Sequence, residues 1–233
     1  GKNASLKDSV KKGGIRIPIL DNPLTAFQMM MGQAVPLFTY QLPYVSFQLD
    51  KSIPLARVVC FELGVRLNFE LNAKLMFGFD TYGFQLYETS HNVLDVTQGF
   101  YVSDRANADG TGADVPEFKA VAGLALYGGV DTGFAKAGVE GGVRVTAEVD
   151  LNDPNDDGKL RLTEAIGLVE DTGNPLDLFD VSLRGEAYAS YYYDVLGIVS
   201  GRQDFARIEL FNLQHDGSDG TPLYGSVINY EDK

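Results

Sequence analysis

The sequence has few of the cysteine and histidine side chains on which many metal sites and catalytic nucleophiles depend. It contains no tryptophan, one cysteine and two histidines among 233 residues. Because Cys60 is alone, an intramolecular disulfide is excluded. His91 and His215 do not lie in an H-x-H, H-E-x-x-H or H-x₃-H arrangement, so a zinc site is not expected. The sequence therefore has no motif for sulfur or imidazole ligands.

Basic residues are also scarce. Lysine and arginine number 19 against 32 acidic residues, a formal net charge of −13. Nucleic-acid binding needs clustered basic side chains to replace the counterions of phosphate, so we expect no such partner. The acidic balance instead favours attraction of divalent cations. The basic residues cluster once, near the N-terminus. We interpret residues 1–14 as a solvated arm that precedes a single domain spanning residues 15–233.

Long hydrophobic runs are absent as well. A membrane helix needs roughly 18 consecutive apolar residues. The nearest run, residues 121–130, is too short and too rich in glycine. We therefore expect no membrane insertion.

The dominant pattern is alternation of apolar and polar residues with a period of two. It extends over residues 59–79, 137–151 and 181–195, and it indicates half-buried strands. Shorter strands are predicted at residues 45–49, 118–127 and 206–213. A single strand over residues 59–79 would span about 70 Å. Apolar residues occupy the odd-numbered positions throughout this run, whereas a two-residue hairpin would shift them to even-numbered positions. We therefore expect either a long bent strand or a hairpin with an odd-length loop near Asn72.

Six or more antiparallel strands with one apolar face must cover that face. We predict a mainly β fold of long amphipathic strands, arranged as a β-sandwich or as a closed, barrel-like sheet. A lipid-covered outer-membrane barrel is disfavoured because its evenly spaced turns are missing and there is no tryptophan. One short N-terminal helix is predicted from the Asn22-Pro23 start to a stop at Gly32, with its methionines packed in the core.

The sharpest chemical signal is a twelve-residue loop of EF-hand type between residues 153 and 164. It fits D-x-[DN]-x-[DN]-G-x₅-E at every fixed position. Calcium takes 6–8 oxygen ligands, and Gly158 permits the sharp turn around such an ion. Leu160, at the eighth position, would anchor the loop in the core. The predicted calcium ligands are Asp153, Asn155, Asp157, the backbone carbonyl of Lys159, and Glu164.

The loop departs from an EF-hand in three ways. The segment before it, residues 137–151, is predicted to be a strand instead of a helix. The exit helix is expected only at residues 163–166, before Gly167. The ninth position holds Arg161, which offers no acceptor, so we expect its charge to weaken binding. A Kd of about 10⁻⁴ M is typical of extracellular modules.

Other readings remain open. Tyr188 and Tyr192 share the polar face of a strand and are candidates for stacking on a sugar ring, although ordinary cross-strand packing is the simpler interpretation. The long apolar faces are also compatible with a container for an apolar ligand. A hydrolase without a recognisable motif is the remaining possibility. Two further acidic turns, around Asp104 and Asp114 and around Asp216 and Asp219, match no defined ligand spacing.

Several segments together resemble a module of very large secreted bacterial multidomain proteins that also carry haemolysin-type calcium repeats and adhesin-like domains. The segments that carry the resemblance are residues 38–43, 78–83, 101–104, 109–116 and 151–159. The resemblance covers roughly residues 15–215, and the calcium loop is its one specific motif. It implies an extracellular or cell-surface setting, a structural or adhesive role and no known catalytic activity.

These observations predict a non-catalytic, calcium-binding structural or adhesive module of a secreted bacterial surface protein. Calcium would order the loop at residues 153–164. Other surface-protein modules or glycans are the partners this role implies.

Overall fold

The structure, a computed structural model, describes residues 10–11, 13–218 and 224–227 of the chain. The strands are β1 (Val10–Lys11), β2 (Gly14–Arg16), β3 (Pro36–Gln41), β4 (Tyr44–Val58), β5 (Phe61–Ala73), β6 (Met76–Asp80), β7 (Phe100–Ser103), β8 (Phe118–Asp131), β9 (Ala135–Leu151), β10 (Lys159–Arg161), β11 (Phe179–Val195), β12 (Val199–His215) and β13 (Tyr224–Val227). The α-helices are α1 (Pro18–Asp21), α2 (Pro23–Met30), α3 (Tyr82–Ser90) and α4 (Leu162–Thr172), and 3₁₀ turns cover Val93–Gly99 and Pro175–Leu178.

The strands form two antiparallel sheets. The large sheet has the order β1-β4-β5-β8-β9-β11-β12-β13, and the small sheet has the order β10-β7-β6-β3-β2. The predicted mainly β, antiparallel fold is confirmed, and the presence of two sheets is consistent with the sandwich alternative. Among the described residues the large sheet ends at two edge strands, β1 and β13, so the predicted closure into a barrel-like sheet is wrong for this part of the chain.

Three long hairpins build the large sheet. They are β4–β5, β8–β9 and β11–β12, and each pairs along nearly its whole length. The predicted short strands at residues 45–49, 118–127 and 206–213 are therefore too short. Hydrogen bonding to the partner strand extends each strand beyond the residues that alternate between apolar and polar. In β4 it continues past Pro54, which a bulge accommodates.

The run at residues 59–79 divides between the two sheets. Its first part is β5, in the large sheet, and its second part is β6, in the small sheet. Only Lys74 and Leu75 separate the strands, and these two residues preserve the odd–even phase. The chain passes from one sheet into the other at these two residues. Both predicted alternatives, a single long bent strand and a hairpin with an odd-length loop near Asn72, are therefore wrong.

The two faces of the large sheet reverse the expected burial. Apolar residues align across β5, β8 and β9 on one face, for example Leu67, Leu124 and Val143. That face is open: Leu126 is 62% exposed and Val139 56%. On the other face Glu140 is only 3% exposed. The prediction that the apolar face is the buried one is wrong along much of these strands.

Long polar side chains cover the polar face themselves. A carboxylate oxygen of Glu140 on β9 lies 2.9 Å from Arg66 on β5 and the other lies 3.2 Å from Arg202 on β12, each contact reaching across an intervening strand. The Arg144 guanidinium lies 3.0 Å from the Glu186 carboxylate on the adjacent strand. The polar face is therefore a network of paired charges, because arginine stems can cover neighbouring side chains while their guanidinium groups meet carboxylates.

The predicted N-terminal helix is confirmed as α2. The side chain of Asn22 accepts a hydrogen bond from the N–H of Leu24, and Pro23 occupies the first turn. The predicted core packing of its methionines is wrong, since Met30 is 85% exposed and Thr25 is the buried residue of this helix. Val10–Lys11 of the predicted arm pair with β4. Residues 1–9 and 12 of that arm lie outside the described residues.

One end of the large sheet meets the small sheet, and we call it the site end. The starts of β8 and β11 and the ends of β9 and β12 all lie there. Strand β3 leads into β4 and β5 leads into β6 at the same end, where the N–H of Leu42 donates to the carbonyl of Leu75. Much of the buried apolar core lies close by, including Met76, Tyr101, Leu151 and Leu160.

Candidate metal site

The predicted calcium loop leaves the large sheet at the site end. Strand β9 ends at Leu151, the loop follows, and β10 then pairs with β7 of the small sheet. The residue at the eighth position, Leu160, is 6% exposed, as expected for an anchor. The strand–loop–helix order is as predicted. The loop thus connects the two sheets.

The exit helix is longer than predicted. Helix α4 spans Leu162–Thr172 and passes through Gly167. It ends at Gly173, which adopts φ 73° and donates its N–H to the carbonyl of Val169. A single glycine inside a helix costs only about 1 kcal/mol relative to alanine. Gly173 ends the helix because glycine readily adopts the left-handed conformation of a C-terminal cap.

Two residues with positive φ wind the loop tightly. Asp156 has φ 56° and Gly158 has φ 82°. A Cβ atom at Gly158 would lie 2.2 Å from the carbonyl oxygen of Gly110, in the neighbouring loop. Glycine is therefore required here both by its backbone conformation and by the close approach of another chain segment.

The structure brings together only some of the predicted side-chain ligands. The Asp153 carboxylate accepts hydrogen bonds from the N–H groups of Gly158, at 2.6 Å, and Lys159, at 3.2 Å. Asn155 accepts from the N–H of Asp157 at 2.9 Å and donates through its amide to Glu164. The third and twelfth positions of the loop are thereby in contact, whereas Asp153, Asp157 and Glu164 do not form a group with carboxylate oxygens all within 4.8 Å of one another. Asp153 Oδ1 is buried and has no hydrogen-bond partner among the described residues.

Burial and like charge raise the pKa of two carboxylates in the loop. Burial raises the pKa of Glu164, and the nearby charges of Asp157 and Asp153 raise it further. Burial and Asp153 likewise raise the pKa of Asp157. Like charges in a partly buried site disfavour ionisation of each other. A bound cation would reverse this effect, because carboxylates that hold a cation are stabilised in their charged form.

The side chains of Lys159 and Arg161 pair with Asp80. Asp80 is fully buried, and it accepts from Lys159 Nζ at 3.0 Å and from Arg161 Nη2 at 2.8 Å. The Arg161 guanidinium also donates to the carbonyl of Gln98 and stacks on Tyr82. Asp80 offsets one of the two positive charges of Lys159 and Arg161. The weakening of calcium binding by the charge of Arg161 stays a prediction.

A second acidic group was only partly visible in the sequence. Asp104 and Asp114 lie in a turn that matches no defined ligand spacing. The fold brings Asp150, from the end of β9, against them. Asp150 belongs to an alternating strand in the sequence, and no local pattern could have assigned it to this group.

The two candidate sugar-binding tyrosines are not an open platform. Tyr188 is 5% exposed and lies beneath Arg144, whose guanidinium carbon is 4.5 Å from the ring centroid. Tyr192 packs edge-on against Tyr127 at 6.3 Å and lies under Arg66. The expectation that Tyr188 is exposed is wrong. Cross-strand packing accounts for both rings, and glycan contact stays a prediction.

Residues considered for a hidden hydrolase do not meet. Cys60 lies at the hairpin tip between β4 and β5, whereas His215 ends β12 at the site end, so the large sheet separates them. His215 Nε2 lies 3.0 Å from the fully buried carboxylate of Asp177. That pair fixes the end of β12 against the turn Pro175–Leu178.

No helix in the described part of the chain is long and apolar enough to cross a membrane. Comparisons with family models, with curated proteins and with solved structures gave no match. The function must therefore be argued from the site itself.

Proposed function

We propose that this chain is a calcium-binding structural module in which the ion is held by the loop at residues 153–164. The observation that carries the proposal is a tightly wound loop in which Asn155 contacts Glu164 and the Asp153 carboxylate accepts from the backbone N–H of Gly158. The loop also presents a buried carboxylate oxygen, Asp153 Oδ1, that lacks a hydrogen-bond donor. Buried polar atoms are normally satisfied, and a calcium ion would satisfy this one.

The position of the loop supports a structural role. It joins the end of β9 to the small sheet through β10, and its last ligand lies in the first turn of α4. Glu164 Oε2 already accepts a hydrogen bond from the N–H of Arg161 at 2.7 Å. A calcium ion at the loop would therefore fix one strand of each sheet and one helix relative to one another.

A secreted or cell-surface setting is part of the proposal. With a Kd of about 10⁻⁴ M, the site would be mostly occupied at millimolar calcium, and this affinity is typical of extracellular modules. In that setting the ion would stiffen a module that contacts other surface-protein modules or glycans, which is the structural or adhesive role proposed here.

Thermal unfolding of chelator-stripped protein tests the proposal. At a calcium concentration about 100 times the Kd, one site adds about 2.7 kcal/mol of stability. For a domain of this size that corresponds to a rise in Tm of about 5–11 °C. Magnesium should produce a much smaller rise, since it demands near-ideal octahedral geometry and dehydrates reluctantly.

Two variants make the test specific. The double variant Asp153→Ala/Glu164→Ala should lose the calcium-dependent rise. Asp156→Asn is the matched control, because this acidic residue of the same loop is 86% exposed at its side chain, pairs with Arg105 outside the proposed ligand set, and has a positive φ that asparagine tolerates. A rise that survives in the double variant, or that disappears equally in the control, would contradict the assignment of these ligands.

Binding of an apolar ligand is a second candidate, and the open face of the large sheet favours it. A depression of about 470 Å³ is lined by Val58, Phe61, Leu63, Val130, Val139 and their neighbours. Ligand sites commonly have volumes of about 300–1,000 Å³ and apolar walls. Native mass spectrometry of the purified protein should detect a bound lipid-sized molecule, and Leu63→Asp should abolish it. Protein that carries no such mass, and that takes none up from added fatty acid, would exclude this candidate.

A further inference from the structure

The loop between β7 and β8 folds back on itself and places two aspartates side by side. Arg105 and Asp114 form an antiparallel bridge, and the N–H of Ala106 donates to the carbonyl of Ala113. Asp104 and Asp114 thereby come together at the base of this loop. Its tip, at Gly110, presses against Gly158 of the calcium loop.

Strand β9 completes the group from the other side. Carboxylate oxygens of Asp104, Asp114 and Asp150 all lie within 4.8 Å of one another. The three residues come from two different segments of the chain, one on each side of the connection between the sheets. Glu117, which precedes β8, lies close enough to Asp150 for hydrogen bonding.

Two buried carboxylate oxygens of the group lack a hydrogen-bond donor within the described part of the chain. Asp104 is 5% exposed, and its Oδ1 has no hydrogen-bond donor among the described residues. Asp150 Oδ1 is likewise buried without a donor. None of the ion pairs within the described residues includes Asp104, Asp114 or Asp150. The neighbouring Arg105 is paired with Asp156 instead.

The electrostatic state of the group agrees with its geometry. Burial, followed by the charges of Asp114 and Asp150, raises the pKa of Asp104 to about 7. Burial raises the pKa of Glu117 to about 8, and Asp150 raises it further. A buried carboxylate with no cationic partner is costly, so a site of this kind needs either protons or a cation.

We infer that Asp104, Asp114 and Asp150 form a second site for a hard divalent cation, separate from the loop at residues 153–164. The buried, unpartnered carboxylate of Asp104 is directed into the group, and the exposed Asp114 leaves one side accessible to water and to the entering ion.

Calcium suits the chemistry of the group. It is a hard cation that accepts 6–8 oxygen ligands, carboxylates and water among them, in flexible geometry. Three carboxylate oxygens lie within 4.8 Å of one another here, and water can supply the remaining ligands. Magnesium demands near-ideal octahedral geometry and dehydrates reluctantly, so calcium is the cation proposed for this group.

Calcium stoichiometry of the whole chain tests the inference. Isothermal titration calorimetry of chelator-stripped protein should give two bound calcium ions. The variant Asp104→Asn/Asp150→Asn should bind one, and Asp153→Ala/Glu164→Ala should also bind one. Asparagine has nearly the shape of aspartate, so the first variant should keep its fold, which circular dichroism checks. Asp114→Asn provides a second, exposed position where folding is not at risk.

The outcomes separate this inference from the proposed function. One ion in the wild type that persists in Asp104→Asn/Asp150→Asn and in Asp114→Asn overturns the second site and leaves the loop as the calcium site. One ion that is lost in Asp104→Asn/Asp150→Asn but kept in Asp153→Ala/Glu164→Ala supports the inferred site and refutes the loop. Magnesium that binds as tightly as calcium at the group would contradict the assignment of the group to calcium.

Discussion

Asp80 should be the most sensitive single position near the calcium loop. Its side chain is fully buried and accepts hydrogen bonds from Arg161, from Lys159 Nζ and from the N–H of Tyr82. Asp80→Asn keeps the shape of the side chain and removes its charge. Arg161, 5% exposed, and Lys159 would then remain in the interior without their counter-charge.

The magnitude follows from the nature of this contact. Removing one partner of a buried ion pair typically costs about 3–5 kcal/mol, because the remaining charge is left uncompensated. For a domain of about this length, 1 kcal/mol shifts Tm by about 2–4 °C. We therefore expect Asp80→Asn to lower Tm by about 6–20 °C, measured by circular dichroism without calcium, with urea unfolding as an independent measurement.

A double-mutant cycle isolates the pair. Arg161→Met alone should destabilise strongly, and Asp80→Asn/Arg161→Met should cost much less than the sum of the single variants, because neither charge is then orphaned. Asp156→Asn is the control, since its carboxylate is 86% exposed and should tolerate neutralisation. Additive costs, or an Asp80→Asn variant as stable as that control, would refute the reasoning that this ion pair secures the base of the loop.

Three further predictions concern single positions. Val59 is a β-branched residue at a hairpin tip, and its φ of 56° is a conformation that asparagine adopts with less strain. Val59→Asn should therefore raise the free energy of unfolding, measured with urea, by about 1 kcal/mol. Val58→Asn should give no such increase. Gly158→Ala should abolish the calcium-dependent rise in Tm, because the added Cβ would clash with the carbonyl oxygen of Gly110. Gly167 lies in open space within α4, so Gly167→Ala should instead stabilise the protein by about 1 kcal/mol. Ser190→Ala should cost about 1 kcal/mol at pH 7. The Ser190 hydroxyl, followed by Arg207, lowers the pKa of Asp204 in the folded protein. That contribution is present above the unfolded value of about 3.9 and is lost as the pH falls through the lower folded value, so the variant should show a shallower loss of stability in acid titrations.

The sequence was most informative where structure depends on neighbours along the chain. The Asn22-Pro23 helix start, the extent of β9 and β11, and the calcium motif all rest on local chemistry: a cap, a period of two, and ligands at fixed spacing. The predicted strand lengths were wrong where pairing with a distant strand determines how far a strand extends. Strand β12 begins at Val199 because β11 holds it there, although the local alternation becomes clear only near residue 206.

The prediction of which sheet face is buried was also wrong, and for a related reason. Alternation shows that a strand has two unlike faces, but it does not show which face becomes covered. Glu140 is buried because Arg66 and Arg202 reach it from other strands. The same cross-strand contacts place Tyr188 beneath Arg144.

The sequence by itself determined the class of the fold, the N-terminal helix and the spacing of the proposed calcium ligands in the loop, because each depends on residues a few positions apart. Only the tertiary structure decided that Arg161 pairs with Asp80, a residue 81 positions away in the chain. It alone placed Asp150 against Asp104 and Asp114. Charges interact through space, so distant carboxylates become a candidate site, and distant ions become partners, only when the fold has brought their segments together.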